Sequence, residues 1–173
     1  MENKVRNIEI KARILDLSGI RNRLIDRKAK FVGLDHQIDT YFQVKSGRLK
    51  LRQGNIENHL IYYERPDQDV PKLSEVLLYP VERNSSIRQL LTKALGVDVI
   101  VDKKREIYFI DHIKFHLDVV RDLGTYVEIE VIDDGAGIEP DVMIKTCEEF
   151  MQVLDIESEQ LISSSYADLL RNG

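Results

Sequence analysis

The sequence predicts an α+β fold built on a largely antiparallel sheet. Eight segments alternate apolar and polar residues at the period of two that marks strands. Several of them follow one another through short, hairpin-like connections such as "KSG" (45–47) and "GNIEN" (54–58). Consecutive strands joined this way pair antiparallel, and the four segments with helical spacing stand between or after such runs.

Residues 5–14 form the first strand: in "RNIEIKARI", Glu9, Lys11 and Arg13 share one face, against Ile8, Ile10, Ala12 and Ile14. A helix follows, capped by Ser18, with Ile20, Leu24 and Ile25 on its apolar side. "QIDTYFQV" (37–44), "GRLKLRQ" (47–53), "NHLIYYER" (58–65) and "SEVLLYPV" (74–81) are the next four strands. "SSIRQLLTKAL" (85–95) reads as a helix with serine caps at its start and Gly96 just past its end. Three strands come next, "VIVDKKREIYF" (99–109), "HIKFHLDVV" (112–120) and "TYVEIEVI" (125–132). Pro140 suits the first turn of a helix to Leu154, with Met143, Cys147, Phe150, Met151 and Leu154 as its apolar stripe. "EQLISSSYADLL" (159–170) reads as a last helix that buries Ile162, Tyr166, Leu169 and Leu170.

At 173 residues, with no linker or repeat, the chain reads as one domain over 1–173. Its 43% hydrophobic and 32% charged content is ordinary for a globular protein, and no apolar run approaches membrane-spanning length. A single cysteine, Cys147, forbids an internal disulfide and fits a reducing cytoplasm. The net charge of −5 argues against a general nucleic-acid binder, so any anion site must come from a local basic cluster.

Charge patterning supplies such clusters. "GRLKLRQ" places Arg48, Lys50 and Arg52 on one face; "HIKFHLDVV" does the same for His112, Lys114, His116 and Asp118; "TYVEIEVI" for Tyr126, Glu128 and Glu130. Lys103 and Arg105 share a side of the sixth strand. Antiparallel sheets often turn one face to water, so the alternation by itself fits a solvated surface. Segregation of the signs by strand fits a second reading. The two carboxylates of "EIE", about 7 Å apart by strand rise, suit shared hard cations, and Arg and Lys on facing strands suit phosphate. Periodicity leaves both readings open.

The strands in this order resemble the CYTH family, the triphosphate tunnel metalloenzymes, which include class IV adenylyl cyclases, thiamine triphosphatases and inorganic triphosphatases. The family's first-strand Glu-x-Glu-x-Lys falls on Asn7, Glu9 and Lys11, so its first Glu is replaced. "GRLKLRQ" is similar to its basic pair through Lys50 and Arg52, and "YYERP" to the segment with a basic residue before proline, here Arg65. "DKKREIYFIDHIKFHLDVVRDLGTYVEIEV" and the closing "SYADLL" resemble class IV cyclases.

The resemblance implies an eight-stranded antiparallel β-barrel, the triphosphate tunnel, with flanking helices and the charged faces turned inward. It implies Mg²⁺ or Mn²⁺ on Glu9, Glu128 and Glu130, with Asp118 as a further acidic partner. A triphosphate would be held by Lys11, Lys50, Arg52, Arg65 and Arg105. Asn7, Arg13, Lys103, Lys114 and His116 are further tunnel candidates, placed by alternation, and no general base is identified. The expected activity is cyclisation of ATP to cyclic AMP and pyrophosphate. Hydrolysis of an organic or inorganic triphosphate, and binding without turnover, are the alternatives. A homodimer is suggested by the same resemblance.

Overall fold

A computed structural model describes residues 4–64 and 72–173, with the side chains of 6–64 and 76–173. The strands are β1 (Lys4–Arg13), β2 (Lys30–Phe42), β3 (Arg48–Gln53), β4 (Asn58–Glu64), β5 (Lys72–Pro80), β6 (Val97–Ile110), β7 (Ile113–Val120) and β8 (Gly124–Asp133). The helices are α1 (Leu17–Asp26), α2 (Ile87–Leu95), α3 (Pro140–Leu154) and α4 (Tyr166–Asn172). All strand pairs are antiparallel, and the sheet closes on itself in the order β1-β5-β4-β3-β2-β6-β7-β8. Closure removes the free edges that an open sheet would expose.

Alternation and closure together send the two faces of each strand to different solvents. Ile8, Ile10, Phe115, Leu117, Val127 and Ile129 face outward and are buried beneath helices. The cover is α1 through Leu17, Ile20 and Leu24, and α3 through Met143, Cys147 and Leu154. Cys147 is fully buried there, and burial pushes its thiol up to about 12, so it acts as a core residue. A second cluster lies at one end of the barrel, where Tyr41, Val101, Val120 and Tyr126 meet Tyr166 and Ala167 of α4.

Several local expectations are corrected. Asp16, not Ser18, caps α1: its carboxylate accepts from the Ser18 backbone N–H at 2.9 Å, and Ser18 lies inside the helix. Ile25 is exposed, because α1 presents only Leu17, Ile20 and Leu24 to the core. β2 starts at Lys30, seven residues before "QIDTYFQV", because it pairs with β6 along its length, from Lys30 opposite Phe109 to Phe42 opposite Val97. A register shift at Phe31/Gly33 breaks the alternation there. The C-terminal segment is not one helix. It is a 3₁₀ turn over Ser158–Gln160, an extended link bridging Leu161 to Ala12, and α4. Ser165 ends that link, in a capping box where its hydroxyl accepts from the Asp168 N–H at 3.1 Å. Tyr166 is buried as expected, whereas Ile162, Leu169 and Leu170 are only half-buried.

Candidate functional site: a charged barrel interior

The inward faces of the strands enclose a cavity of about 180 Å³. Its basic lining comes from Lys11 (β1), Lys50 and Arg52 (β3), Lys103 and Arg105 (β6) and Lys114 (β7). Its acidic lining comes from Glu9 (β1), Glu128 and Glu130 (β8), and Glu57 from the β3–β4 turn. Charges removed from water need partners, and the wall supplies them in local groups.

The first group centres on Asp39 of β2, which is 1% exposed. Arg52 grips it with two bonds, Nε to Oδ1 at 2.9 Å and Nη2 to Oδ2 at 3.0 Å. Lys103 and Lys50 reach Oδ2 at 2.8 and 3.2 Å. Burial alone would raise the Asp39 pKa, but Arg52, Lys103 and Lys50 outweigh it and hold the carboxyl well below its usual range. Burial and the neighbouring Arg52, Arg105 and Lys50 lower the Lys103 ammonium to about 7, against the pull of Asp39.

The second group centres on Arg105. Its Nε donates to Asp118 Oδ1 at 2.7 Å and its Nη2 to Glu128 Oε2 at 2.7 Å. Tyr166 donates to Asp118 Oδ2 at 2.7 Å, and its ring lies 4.2 Å from the Lys11 ammonium. Lys11 stands 3.4 Å from Glu128 Oε1, and His116 Nδ1 is 3.0 Å from Glu128 Oε2. The His116 pKa is lowered by burial and by Arg105, and its Nε2 is buried with no hydrogen-bond partner.

The third group is set by a turn. Asp35, fully buried, accepts from the backbone N–H groups of Asn55, Ile56 and Glu57, the last two at 2.9 and 3.0 Å. Gly54 permits this approach, since a Cβ there would stand 2.6 Å from the Asp35 carboxylate. The turn so drawn in carries the Glu57 side chain into the cavity, where it accepts from Arg52 and Gln37 at 3.0 Å and from Lys114. Burial would raise the Glu57 pKa, but Arg52 and Lys114 hold it far below the usual range.

Glu9 and Glu130 lie directly opposite each other on β1 and β8. Asn7 is buried beside them and donates through Nδ2 to Glu130 Oε1, while its Oδ1 is buried with no hydrogen-bond partner. Among the described residues, no three Asp, Glu, His or Cys side chains form a ready metal cluster. Two carboxylates on facing positions and an unpartnered amide oxygen beside them are the donor types that a hard divalent cation takes. Glu128 enters such a set only by exchanging Arg105, Lys11 and His116.

The cavity thus brings together Asn7, Glu9, Lys11, Lys50, Arg52, Lys103, Arg105, Lys114, His116, Glu128 and Glu130. Two residues expected at the site lie away from it. Asp118 is behind Arg105, with no exposed surface. Arg13 is exposed beyond the tunnel and donates to the Leu123 carbonyl at 3.1 Å. Arg65 falls outside the described residues. Asp39, Asp35 and Glu57 are additions. For Asp35 and Asp39 the signal was the same alternation, with Gln37 and Tyr41 on their face of β2. Glu57 lies in a turn, where periodicity is silent.

Comparison with known proteins agrees with this architecture. A protein of Methanocaldococcus jannaschii named "Putative adenylate cyclase" is 27% identical over 172 residues, covering 94% of this chain and 97% of the relative. A solved structure from Pyrococcus horikoshii superposes with a TM-score of 0.80 at 26% identity, covering 94% of this chain and 98% of that one. A "putative adenylyl cyclase" from Hippeastrum, described as having a dominant triphosphatase activity, superposes at 0.64 with 15% identity, over 98% and 96% of the two chains. The family model of the CYTH domain matches residues 6–166, and with that match the chain belongs to the CYTH family.

Proposed function

We propose that the tunnel binds a triphosphate with a divalent cation and cleaves it at phosphorus, with cyclisation of ATP to cyclic AMP and pyrophosphate as the leading reaction. The observation that carries this reading is the convergence of six basic side chains on one cavity beside Asn7, Glu9 and Glu130. The likeness to the Methanocaldococcus protein supports the cyclase form.

Lys50, Arg52 and Lys103 form one basic wall, aligned by Asp39, and Lys11 and Arg105 another, aligned by Glu128 and Asp118. Groups held in advance toward a developing negative charge stabilise it without reorganising when it forms. Asn7, Glu9 and Glu130 would hold Mg²⁺ or Mn²⁺, which when bound supplies positive charge to the phosphoryl oxygens. The surrounding barrel wall lowers the local dielectric below that of bulk water, so each of these attractions is stronger here than on an open surface.

A second reading, hydrolysis, uses the same walls with water as the nucleophile. His116, on the cavity wall with its buried Nε2 unpartnered, is the candidate acceptor for the nucleophile's proton in either reading, whether that nucleophile is a water or a ribose hydroxyl.

Incubation with ATP and Mg²⁺ or Mn²⁺, followed by chromatography, tests the reading. Cyclic AMP and pyrophosphate are expected; ADP and phosphate would support hydrolysis. Binding without either product would reduce the protein to a triphosphate-binding module. The same assay extends to thiamine triphosphate and tripolyphosphate.

A further inference from the structure

The barrel has two mouths, and they are closed in different ways. Over one lies α4, fixed at several points. Asp168 accepts from Arg48 at 2.8 Å, Tyr166 donates to Asp118 at 2.7 Å, and Ala167 is fully buried. The opposite mouth is where β3 ends and β4, β1 and β7 begin. Glu57, in the turn between β3 and β4, reaches across it.

Glu57 Oε2 accepts from Arg52 Nη1 of β3 and from Gln37 Nε2 of β2, both at 3.0 Å, and Oε1 accepts from Lys114 Nζ of β7. In the closed sheet β3 and β7 are separated by β2 and β6 on one side and by β4, β5, β1 and β8 on the other. A carboxylate bonded to both therefore stands in the bore rather than in the wall. It keeps two cations paired while the tunnel holds no other anion, which spares the cost of leaving them buried alone.

The backbone beneath this bar is fixed, because Asp35 accepts from three N–H groups of the turn. Withdrawing Glu57 takes only rotation of its own half-buried side chain, with the turn in place. Clearing the other mouth would break the packing of Tyr166 and Ala167 on Tyr41, Val101, Val120 and Tyr126. We infer that Glu57 is the gate of the tunnel: it bars this mouth in the free protein, and an anionic ligand enters here by taking Arg52 and Lys114 from it. The inference rests on the triphosphate reading above and adds the route of entry and its control.

The test is stopped-flow association of the full chain with an ATP analogue bearing a fluorescent N-methylanthraniloyl group on the ribose, in excess Mg²⁺. Glu57→Asp keeps the charge but is one methylene too short to bond both walls, and should raise the association rate constant about threefold or more. Glu57→Gln should also raise it. Asp168→Asn removes a negative charge at the α4 mouth and should leave the rate within about twofold of wild type. Association no faster in Glu57→Asp than in wild type overturns the gate, as does equal or greater acceleration in Asp168→Asn; either leaves the triphosphate reading standing. If Glu57→Asp does not fold, Glu57→Gln against Asp168→Asn decides by the same comparison. No binding of the analogue to wild type, with none of ATP or tripolyphosphate by calorimetry, overturns both.

Discussion

Asp39 and Arg52 face each other across β2 and β3 and are joined by two hydrogen bonds of 2.9 and 3.0 Å inside the barrel. A paired fork of this kind fixes the guanidinium plane as well as its charge. Because Lys50 and Lys103 share the same carboxylate, Asp39 sets the orientation of one whole basic wall.

Asp39→Asn should therefore cost more than a surface change. Three buried cations would lose their common counter-charge, and breaking buried pairs of this kind costs about 3–5 kcal/mol. Thermal unfolding of the variant should show a marked fall in Tm, and a Tm within a degree of wild type would contradict the assignment.

Glu57 pairs with Arg52 and Lys114, two cations that the proposed triphosphate would need. Removing its charge in Glu57→Gln should tighten ATP binding about fivefold, or roughly 1 kcal/mol, well below the bare Coulomb figure because water screens the cavity. Weaker binding in the variant would mean that Glu57 serves the ligand rather than opposing it.

Lys103 gives the tunnel a pH dependence near neutrality. Its folded pKa of about 7 lies below the ordinary lysine value, so the ammonium is lost as pH rises through about 7. Triphosphate affinity should fall over pH 6.5 to 8.5, approaching tenfold per unit. Lys103→Arg keeps the charge and should flatten the profile; an equally steep profile in that variant would assign the dependence elsewhere. For stability the sign is opposite: between about 7 and 10.5 the unfolded chain binds more protons, so this group's contribution rises with pH.

Asp39 and Glu57 have folded pKa values held below their ordinary range. Their stabilisation is complete above the unfolded carboxylate values near pH 4 and is lost as pH falls below them. Tm should decline gently as pH falls below about 6.5, where the unfolded chain protonates His59 and His116 while burial lowers the pKa of both in the fold, and drop steeply below about 4. An unchanged Tm at pH 3 would show that these ion pairs contribute little.

How far the sequence could be read follows from where each residue sits. On regular strands, alternation placed Lys50, Arg52, Lys103, Arg105, Glu128 and Glu130 on one face, and barrel closure decided that this face was inside. Alternation gives a face but not a depth along the strand. Arg13 shares the parity of Glu9 and Lys11, yet it is one residue pair too far along β1 and leaves the tunnel. Asp118 shares the parity of His116 and is sealed behind Arg105. Glu57 owes its place to three backbone bonds accepted by Asp35 and to the missing Cβ of Gly54, long-range features that no local pattern encodes.

If the proposed function is right, the Asn7, Glu9 and Glu130 group and the basic walls act on one triphosphate with a divalent cation. The most direct measurement compares metal-dependent ATP turnover in wild type and Glu130→Gln, with circular dichroism to verify that the variant is folded. Wild type is expected to convert ATP only with Mg²⁺ or Mn²⁺, and the variant to lose about a hundredfold or more, on the scale of removing one charge-stabilising group from an active site. Wild-type turnover in a folded Glu130→Gln protein would contradict it.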